Sequence, residues 1–252
     1  MNQKKQKILG VIPARIGSTR VPRKMLLNIV GKTLIERSFE NAKKISLLDA
    51  LVIATDSDEI REKAESFGAK VIMTSKKHRN GTERTVEAVE KFTDFEPDIV
   101  LTIWGDEPLT PPEGVDRCIQ LLLDDSETSI SGIAGKVPPE QSVDLDSVVK
   151  LVFAPDGKVL YISRSPIPYH YNKSESPEYY HILGALAWRK EMLFKYISMS
   201  PSKLERVEGI EQMRILEAGY KMRVVWGEYP SIGVNTPSEL EKVREIYKKK
   251  EM

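Results

Sequence analysis

The stretch ILGVIPARIGSTRVPRK, residues 8–24, joins a short apolar run to a loop of proline, glycine and serine residues. The run is too short and too rich in β-branched residues for a helix, which predicts a strand that Pro13 ends. Gly17 lets the loop approach a ligand closely enough for backbone N–H groups to help hold an anion. The loop carries four cations: Arg15, Arg20, Arg23 and Lys24. The pattern predicts a phosphate-binding loop, although the same cations could be a solvated surface cluster.

Two common nucleotide-binding patterns are absent from this stretch. Gly10 and Gly17 do not form G-x-G-x-x-G, and no G-K-[ST] follows a glycine at the P-loop spacing. These absences argue against a dinucleotide-dependent enzyme and against a P-loop NTPase.

The composition suits one α/β domain. The chain has 252 residues, and its 38 lysines and arginines nearly balance its 37 aspartates and glutamates. Because the charges cancel, we expect neither nucleic acid nor a membrane surface as a partner. The apolar run after the basic first residues is interrupted by Gly10 and Pro13, so we expect no signal peptide, no membrane span and a cytoplasmic location.

The single cysteine, Cys118, excludes an internal disulfide and a zinc site built from several cysteines. Its neighbours Val115, Ile119 and Leu122 are apolar and have helical spacing. They predict a buried, inert thiol rather than a nucleophile.

Apolar runs alternate with helical patterns through the first half of the chain. We predict strands near 8–13, 50–55, 70–73 and 98–104, and helices near 33–45, 57–67, 81–92 and 112–123. The alternation predicts an α/β fold with a mainly parallel sheet covered by helices on both faces. Ligands of such sheets bind at the carboxyl ends of the strands, so functional residues are expected in the loops that follow them.

The second half of the chain is less regular. Shorter β-like runs at 130–134, 147–153 and 158–163 predict a small β extension or subdomain around 126–180. The later elements are a strand at 181–188, a helix around 207–218, a strand at 221–226 and a terminal helix at 237–249. Since no linker or repeat interrupts the chain, we expect one domain over 1–252 with that smaller β-rich subdomain.

The segment WGDEP, residues 104–108, places Asp106 just after an apolar strand. A carboxylate there could hold Mg²⁺ against the phosphates of a nucleotide, or it could simply cap a helix. Glu107 is interpreted as structural.

The segment HRNGTER, residues 78–84, precedes a predicted helix that either Asn80 or Thr82 could cap. Further along, LYISRSPIPY, residues 160–169, places Arg164 at the end of a strand. The planar guanidinium of an arginine can bind a carboxylate ligand with two parallel hydrogen bonds, or it can form an ion pair inside the fold.

These motifs together resemble the CMP-Kdo synthetase family of sugar-acid cytidylyltransferases, which are nucleotidyltransferases of the GT-A-like fold. The matching stretches, in the family's order, are PARIGSTRVPRK (13–24), HRNGTER (78–84), GDEP (105–108), LYISRSPIP (160–168), LERVEGIEQMR (204–214) and GVNTPSEL (233–240). The resemblance covers about residues 8–245, which is nearly the whole chain.

The resemblance implies a reaction. The chain would transfer the cytidylyl group of CTP to a 3-deoxy-2-ulosonic acid, Kdo (3-deoxy-manno-octulosonate) or a related acid, for surface polysaccharide synthesis. The anomeric hydroxyl would attack the α-phosphorus and release pyrophosphate, and Mg²⁺ on Asp106 would lower the pKa of that hydroxyl in place of a side-chain base. A homodimer is also implied.

The resemblance also implies four groups of site residues. Catalysis is expected of Arg15, Lys24 and Asp106. The nucleotide would be bound by Pro13, Ala14, Arg15, Lys24, His78, Gly81 and Thr82, with Arg84 as a support from the helix. The sugar acid would be bound by Arg164, Trp104, His181, Glu211 and Gln212, and Mg²⁺ by Asp106 and Asn235.

Three positions depart from the family pattern. Asn235 replaces the second metal carboxylate, Trp104 replaces a glutamine near the sugar, and His181 is shifted by one residue, which would turn it to the other face of a strand. These changes allow a different acidic sugar, such as an amino-substituted Kdo or a nonulosonic acid, or another base. A nucleotide-binding dimer without catalytic activity is a further alternative, and Kdo remains the leading substrate.

Overall fold

The computed structural model describes residues 5–17, 21–138, 143–229 and 231–251. Its strands are β1 (Ile8–Ala14), β2 (Asn28–Ile29), β3 (Lys32–Thr33), β4 (Ala50–Thr55), β5 (Lys70–Met73), β6 (Ile99–Ile103), β7 (Ile130–Lys136), β8 (Lys150–Phe153), β9 (Val159–Ser163), β10 (Tyr180–Arg189) and β11 (Met222–Gly227). Its α-helices are α1 (Leu34–Ala42), α2 (Asp58–Ser66), α3 (Gly81–Lys91), α4 (Pro112–Asp124), α5 (Lys190–Ser198), α6 (Lys203–Glu208), α7 (Gln212–Glu217) and α8 (Pro237–Glu251).

The main sheet is mixed but mostly parallel, with strands in the order β11-β7-β10-β6-β1-β4-β5. β1 runs parallel to β4 and β6, whereas β10 is antiparallel to β6 and β7. Successive residues of β1 contribute to different cores: Leu9 and Val11 to one, Ile8 and Ile12 to the other. Both faces of the sheet are therefore buried, which confirms the α/β fold that the alternating pattern predicts.

β8 and β9 form an antiparallel hairpin that pairs with β10 and extends the sheet. They lie in the segment around 126–180, as does β7, which is a strand of the main sheet. The division of the chain into a main domain and a smaller subdomain stays a prediction.

The predicted helix around 207–218 is wrong, because the structure has two short helices there, α6 and α7. Gly209 ends α6 in the left-handed conformation, with φ 63° and ψ 36°, which few residues other than glycine adopt readily. The start of α6 is fixed by a capping box, in which Ser202 and Glu205 bond each other's backbone N–H groups. Apolar spacing continues through both helices, so periodicity alone does not show the break.

A small third core attaches α8 to the rest of the fold. Its buried members are Ile29, Leu34, Val234, Leu240 and Val243. Two bonds to carbonyl oxygens reinforce it: Arg244 Nε donates to Asn28 O at 2.9 Å, and Tyr247 OH donates to Pro108 O at 2.9 Å. Val234 precedes Asn235 directly, so this core helps to place the asparagine.

Cys118 is buried in α4, as predicted, and burial raises the pKa of its thiol. No helix among the described residues has the length and apolar character needed to cross a membrane.

Candidate active site

Three cavities meet at Trp104, which follows β6 and lines all of them. The β1 cavity, of about 340 Å³, includes in its lining Pro13, Arg15, Lys24, His78, Gly81 and Asp106. The α8 cavity, of about 800 Å³, includes Asp106, Glu107, His181, Ser231 and Asn235. The α7 cavity, of about 270 Å³, includes Thr82, Arg164, Gly209, Glu211 and Gln212. Segments far apart in the sequence thus converge on one cleft.

Most of the predicted site residues line this cleft. Ala14 is the exception, since it is fully buried at the end of β1. Thr82 lines the α7 cavity rather than the β1 cavity. Of the four predicted loop cations, Arg15 and Lys24 line the β1 cavity, Arg23 pairs with Glu59 of α2, and Arg20 lies outside the described residues.

Lys24, Asp106 and Asn235 meet where the β1 and α8 cavities join. The Lys24 ammonium donates to Asp106 Oδ2 at 2.6 Å and to Asn235 Oδ1 at 3.4 Å. Lys24 begins a 3₁₀ turn after the first loop, Asp106 follows β6, and Asn235 precedes α8. Because both oxygens accept from the same ammonium, they face a common point in the cleft.

The same two oxygens suit a divalent cation. Mg²⁺ prefers oxygen ligands, usually one or two carboxylates completed by water and substrate phosphates. Over the described ranges, no group of three or more histidine, cysteine, aspartate or glutamate side chains could hold a metal ion. The donor set at this point is therefore one carboxylate and one amide oxygen, which is compatible with Mg²⁺ that also binds phosphates.

The side chain of His78 is held by a carboxylate of α3. Its Nε2 is hydrogen-bonded to Glu87 Oε2, and the Ser75 backbone N–H donates to that oxygen at 2.8 Å. Burial opposes ionisation of Glu87, but hydrogen bonds from Lys91, Ser75 and His78 outweigh it and lower the pKa of Glu87 to about 2. An ionised Glu87 thus fixes the imidazole at the edge of the β1 cavity.

The start of α3 lies against β1. A Cβ on Gly81 would approach Pro13 Cγ to 3.2 Å, so glycine allows this close packing. Asn80, one of the two predicted caps, accepts the Glu83 backbone N–H at 2.8 Å. Arg84 is buried and donates to Asp56 Oδ2 at 2.9 Å, which agrees with a supporting role.

Glu211 carries the acidic group of the α7 cavity. Its Oε2 accepts from Thr82 Oγ1 at 2.7 Å and from Tyr196 OH at 3.3 Å. Burial raises the pKa of Glu211. The hydrogen bond from Thr82 joins α3 to the segment just before α7.

Arg164 holds the break between α6 and α7. Its guanidinium donates to three carbonyl oxygens, Glu208 O at 2.7 Å, Asp146 O at 2.5 Å and Gly209 O at 3.0 Å. A guanidinium has five N–H donors, so two are left by these bonds. The carboxylate of Glu208 is bound by the backbone N–H of Arg164, not by its side chain, at 3.0 Å.

His181 of β10 lines the α8 cavity, and a bulge follows it in the same strand. The pairing register with β7 shifts between Leu183 and Leu186, and Gly184 in the bulge has φ 28°. A Cβ there would lie 1.8 Å from Thr110 Oγ1, so only glycine fits. Burial, with a contribution from Lys150, lowers the pKa of His181 to about 4, which leaves the imidazole neutral at pH 7.

Two acidic residues near the cleft have contacts that the sequence interpretation did not assign. Glu107 Oε2 accepts hydrogen bonds from both Gly184 N and Ser231 Oγ at 3.0 Å; burial of the carboxyl and the neighbouring Asp106 raise its pKa to about 8. Glu239 Oε2 accepts the backbone N–H groups of Asn235 and Thr236, each at 2.8 Å. The capping-box spacing of TPSE, residues 236–239, is a sequence signal for Glu239, whereas the partners of Glu107 are too distant for any local signal.

Comparison of the sequence with known proteins shows similarity over most of the chain. Residues 9–223 match the model of the cytidylyltransferase family. A protein of Francisella tularensis subsp. holarctica (strain FTNF002-00 / FTA) named 3-deoxy-manno-octulosonate cytidylyltransferase is 40% identical over 94% of this chain and 97% of its own length. A protein of the same name from Solibacter usitatus (strain Ellin6076) is 37% identical over 96% of this chain and 95% of its own length.

Solved structures extend the likeness to three dimensions. The structure of CMP:2-keto-3-deoxy-manno-octonic acid synthetase complexed with CTP has a TM-score of 0.90 and 35% identity, over 97% of this chain and 100% of that one. A 4-diphosphocytidyl-2C-methyl-D-erythritol synthase from Anaerococcus prevotii DSM 20548 has a TM-score of 0.64 and 18% identity, over 96% of this chain and 99% of that one. The second likeness shows the fold alone.

Proposed function

The chain belongs to the cytidylyltransferase family, and on that premise we propose that it activates Kdo with CTP to give CMP-Kdo and pyrophosphate. In this reaction the anomeric oxygen forms a bond to the α-phosphorus while the bond from that phosphorus to pyrophosphate breaks. The observation that carries the proposal is the convergence of Lys24, Asp106 and Asn235 at the junction of two cavities. Transfer of this kind depends on alignment and charge neutralisation more than on covalent help from the protein.

CTP is assigned to the β1 cavity. The triphosphate would be neutralised by the cations Arg15 and Lys24, which line that cavity. The base would lie near His78 and Gly81, where a fixed imidazole and backbone groups can distinguish a pyrimidine. Asp106 lines both the β1 and the α8 cavity, so it lies where the α-phosphate would meet the sugar.

The sugar acid is assigned to the other side of Trp104. Arg164 has N–H donors left for its carboxylate, and Glu211 and Gln212 line the same α7 cavity. Neutral His181 lines the α8 cavity and can exchange hydrogen bonds with hydroxyl groups without adding charge. Trp104 lines both cavities and would pack against the sugar, where the family pattern has a glutamine.

Asp106 and Asn235 are the residues that would hold Mg²⁺. When bound there, the cation supplies Lewis-acid polarisation of phosphate oxygen and lowers the pKa of a hydroxyl that it binds. The protein's own part is to keep the two oxygens directed at one point and to bring Lys24 beside them. The ammonium can then move from Asp106 to the phosphates that arrive with the nucleotide.

The proposal is tested by pyrophosphate release with CTP and Kdo in the presence of Mg²⁺, together with calorimetry of CTP binding. We expect turnover with Kdo and a binding heat for CTP. The absence of any CTP heat with magnesium present would reject the assignment.

The departure at Trp104 favours a second candidate, a related acidic sugar such as an amino-substituted Kdo or a nonulosonic acid. A panel of sugar acids and nucleoside triphosphates in the same assay distinguishes these substrates.

Asn235→Asp tests a further alternative, a non-catalytic nucleotide-binding protein. A large gain in rate would indicate an impaired site, and an unchanged or lower rate would show that asparagine belongs to a working one. Sedimentation would test the homodimer, which we also propose.

A further inference from the structure

Glu107 connects three segments of the cleft through one carboxyl oxygen. The residue follows Asp106 in the turn after β6, and its Oε2 accepts from Gly184 N and from Ser231 Oγ, each at 3.0 Å. These partners are 77 and 124 positions away in the sequence. The side chain therefore joins the β6 turn, the bulge of β10 and the segment before α8.

Each joined segment carries a predicted site residue. The β6 turn carries Asp106, the β10 strand carries His181, and the segment before α8 carries Asn235. The bulge is also held by Trp104 N, which donates to Gly184 O at 2.7 Å. The segment before α8 is held by Val234 N, which donates to Asp106 O at 2.8 Å.

The segment at 231–235 contains no helix or strand, so its position depends on such individual bonds. Gly233 packs directly on Glu107, since a Cβ there would lie 3.4 Å from Glu107 Cγ. Without the Glu107 carboxyl group, the Ser231 hydroxyl and the Gly184 N–H would lose their acceptor together. A small displacement would then separate the Asn235 oxygen from Asp106.

We propose that Glu107 is a positioning residue that sets Asn235 and the β10 bulge against Asp106. The inference rests on the proposed function, because the distance between Asp106 and Asn235 matters only if both act on one substrate complex. Glu107 lines the α8 cavity beside these residues and acts through the groups that its Oε2 holds. A misplacement of about 1 Å can reduce the rate of an aligned transfer by about 100-fold.

The test compares Glu107→Ala with Glu107→Gln. The amide of Gln keeps one oxygen that can accept both bonds, whereas Ala removes the acceptor. For Glu107→Ala we expect the half-saturating Mg²⁺ concentration and the sugar KM to rise about fivefold or more, kcat to fall about 10- to 100-fold, and the CTP dissociation constant to change less than about twofold. Glu107→Gln should restore most of these values.

Hydrogen exchange supplies a readout that needs no substrate. In Glu107→Ala the amides of Gly184 and Val234 should exchange faster, while those of β1 and β4 stay unchanged. If Ala prevents folding, Ser231→Ala removes one of the two bonds and should shift the same quantities in the same direction by a smaller factor. Glu113→Ala, at an exposed carboxylate at the start of α4, is the matched control and should change none of them.

Two results would overturn the proposal: an unchanged Mg²⁺ requirement and sugar KM in Glu107→Ala, or equal losses in the Ala and Gln variants. Failure of the unmodified protein to bind CTP would reject the proposed function instead. The exchange data would still report whether Glu107 orders the two segments.

Discussion

The β1 cavity and the other two cavities of the cleft are built differently. Residues of the β1 cavity come from positions just after a strand or at the start of a helix, such as Arg15 after β1, Gly81 in α3 and Asp106 after β6. The α7 and α8 cavities also depend on segments such as 203–217 and 231–239, which side-chain hydrogen bonds hold in place. For example, Thr82 donates a hydrogen bond to Glu211, which lies 129 positions further along the chain.

The difference shows which part of the site depends on which level of structure. Once the parallel strands are paired, their carboxyl ends bring Arg15 and Asp106 of the β1 cavity to the same edge of the sheet. The other cavities also require that individual bonds survive, such as those from the Arg164 guanidinium to three carbonyls. Substitutions in the first region should therefore affect chemistry with little change in stability, whereas those in the second should affect both.

The largest effect is expected at Asp106, which follows β6 and lines the β1 cavity. Asp106→Asn removes the charge that pairs with Lys24 at 2.6 Å and the one carboxylate proposed for Mg²⁺. We expect kcat/KM to fall about 1,000-fold with little change in melting temperature. Turnover within about tenfold of the unmodified protein, measured by pyrophosphate release, would contradict the proposed role.

Arg164 tests the α7 cavity, whose segments are held by side-chain hydrogen bonds. Arg164→Ala removes three hydrogen bonds to carbonyls, so the free energy of unfolding should fall by about 3 kcal/mol. We also expect a rise of about 50-fold in the sugar KM, while the KM for CTP stays nearly constant. Urea melts and steady-state kinetics check both parts. Arg164→Lys should restore neither the stability nor the sugar KM, because a lysine side chain lacks the planar guanidinium. Full restoration by Arg164→Lys would indicate that only the positive charge of Arg164 matters.

The buried imidazole of His181, in the α8 cavity, makes the free energy of unfolding depend on pH. Its pKa is lowered to about 4 in the folded state from 6.5, so the unfolded chain binds more protons between these values. Its contribution to stability is therefore complete above pH 6.5 and is lost as the pH falls toward 4, by about 3 kcal/mol. His181→Gln should flatten this part of the stability curve in urea melts at several pH values, and an unaltered slope would refute the assignment.

Trp104 lines the β1 cavity as well as the α7 and α8 cavities, so its substitution tests which substrate the indole contacts. Trp104→Gln removes the indole surface that the three cavities share and leaves the strand-end position intact. We expect kcat/KM for the sugar acid to change about tenfold and the KM for CTP less than about threefold. Larger changes for CTP than for the sugar would place the indole with the nucleotide instead.

The smallest expected effect is at Glu239, which holds the backbone of Asn235. Glu239→Ala removes the acceptor for two backbone N–H groups at 2.8 Å, and a capping bond contributes about 1 kcal/mol. We expect the free energy of unfolding to fall by about 1 kcal/mol and the half-saturating Mg²⁺ concentration to rise twofold to fivefold. Glu113→Ala, at an exposed carboxylate at the start of α4, is the control, and equal behaviour of the two variants would contradict a role of Glu239 in placing Asn235.

Much of the fold could be read from local patterns. The predicted elements lie within three residues of those observed, apart from the helix around 207–218, because alternating apolar runs and helix caps are local signals. That helix was wrong because its apolar spacing continues past Gly209, whose left-handed backbone splits it. α5 and the two-residue strands β2 and β3 have no counterpart among the predicted elements.

The sequence by itself determined the α/β fold, the cationic loop after β1 and the position of Asp106 after β6, because these depend on near neighbours and on the period of the chain. Only the tertiary structure decided that Arg23 pairs with Glu59, that Arg164 binds carbonyls, and that Glu107 joins three segments. Those contacts depend on which distant residues the packed sheet and the loops bring within hydrogen-bond distance. No spacing along the chain encodes that distance.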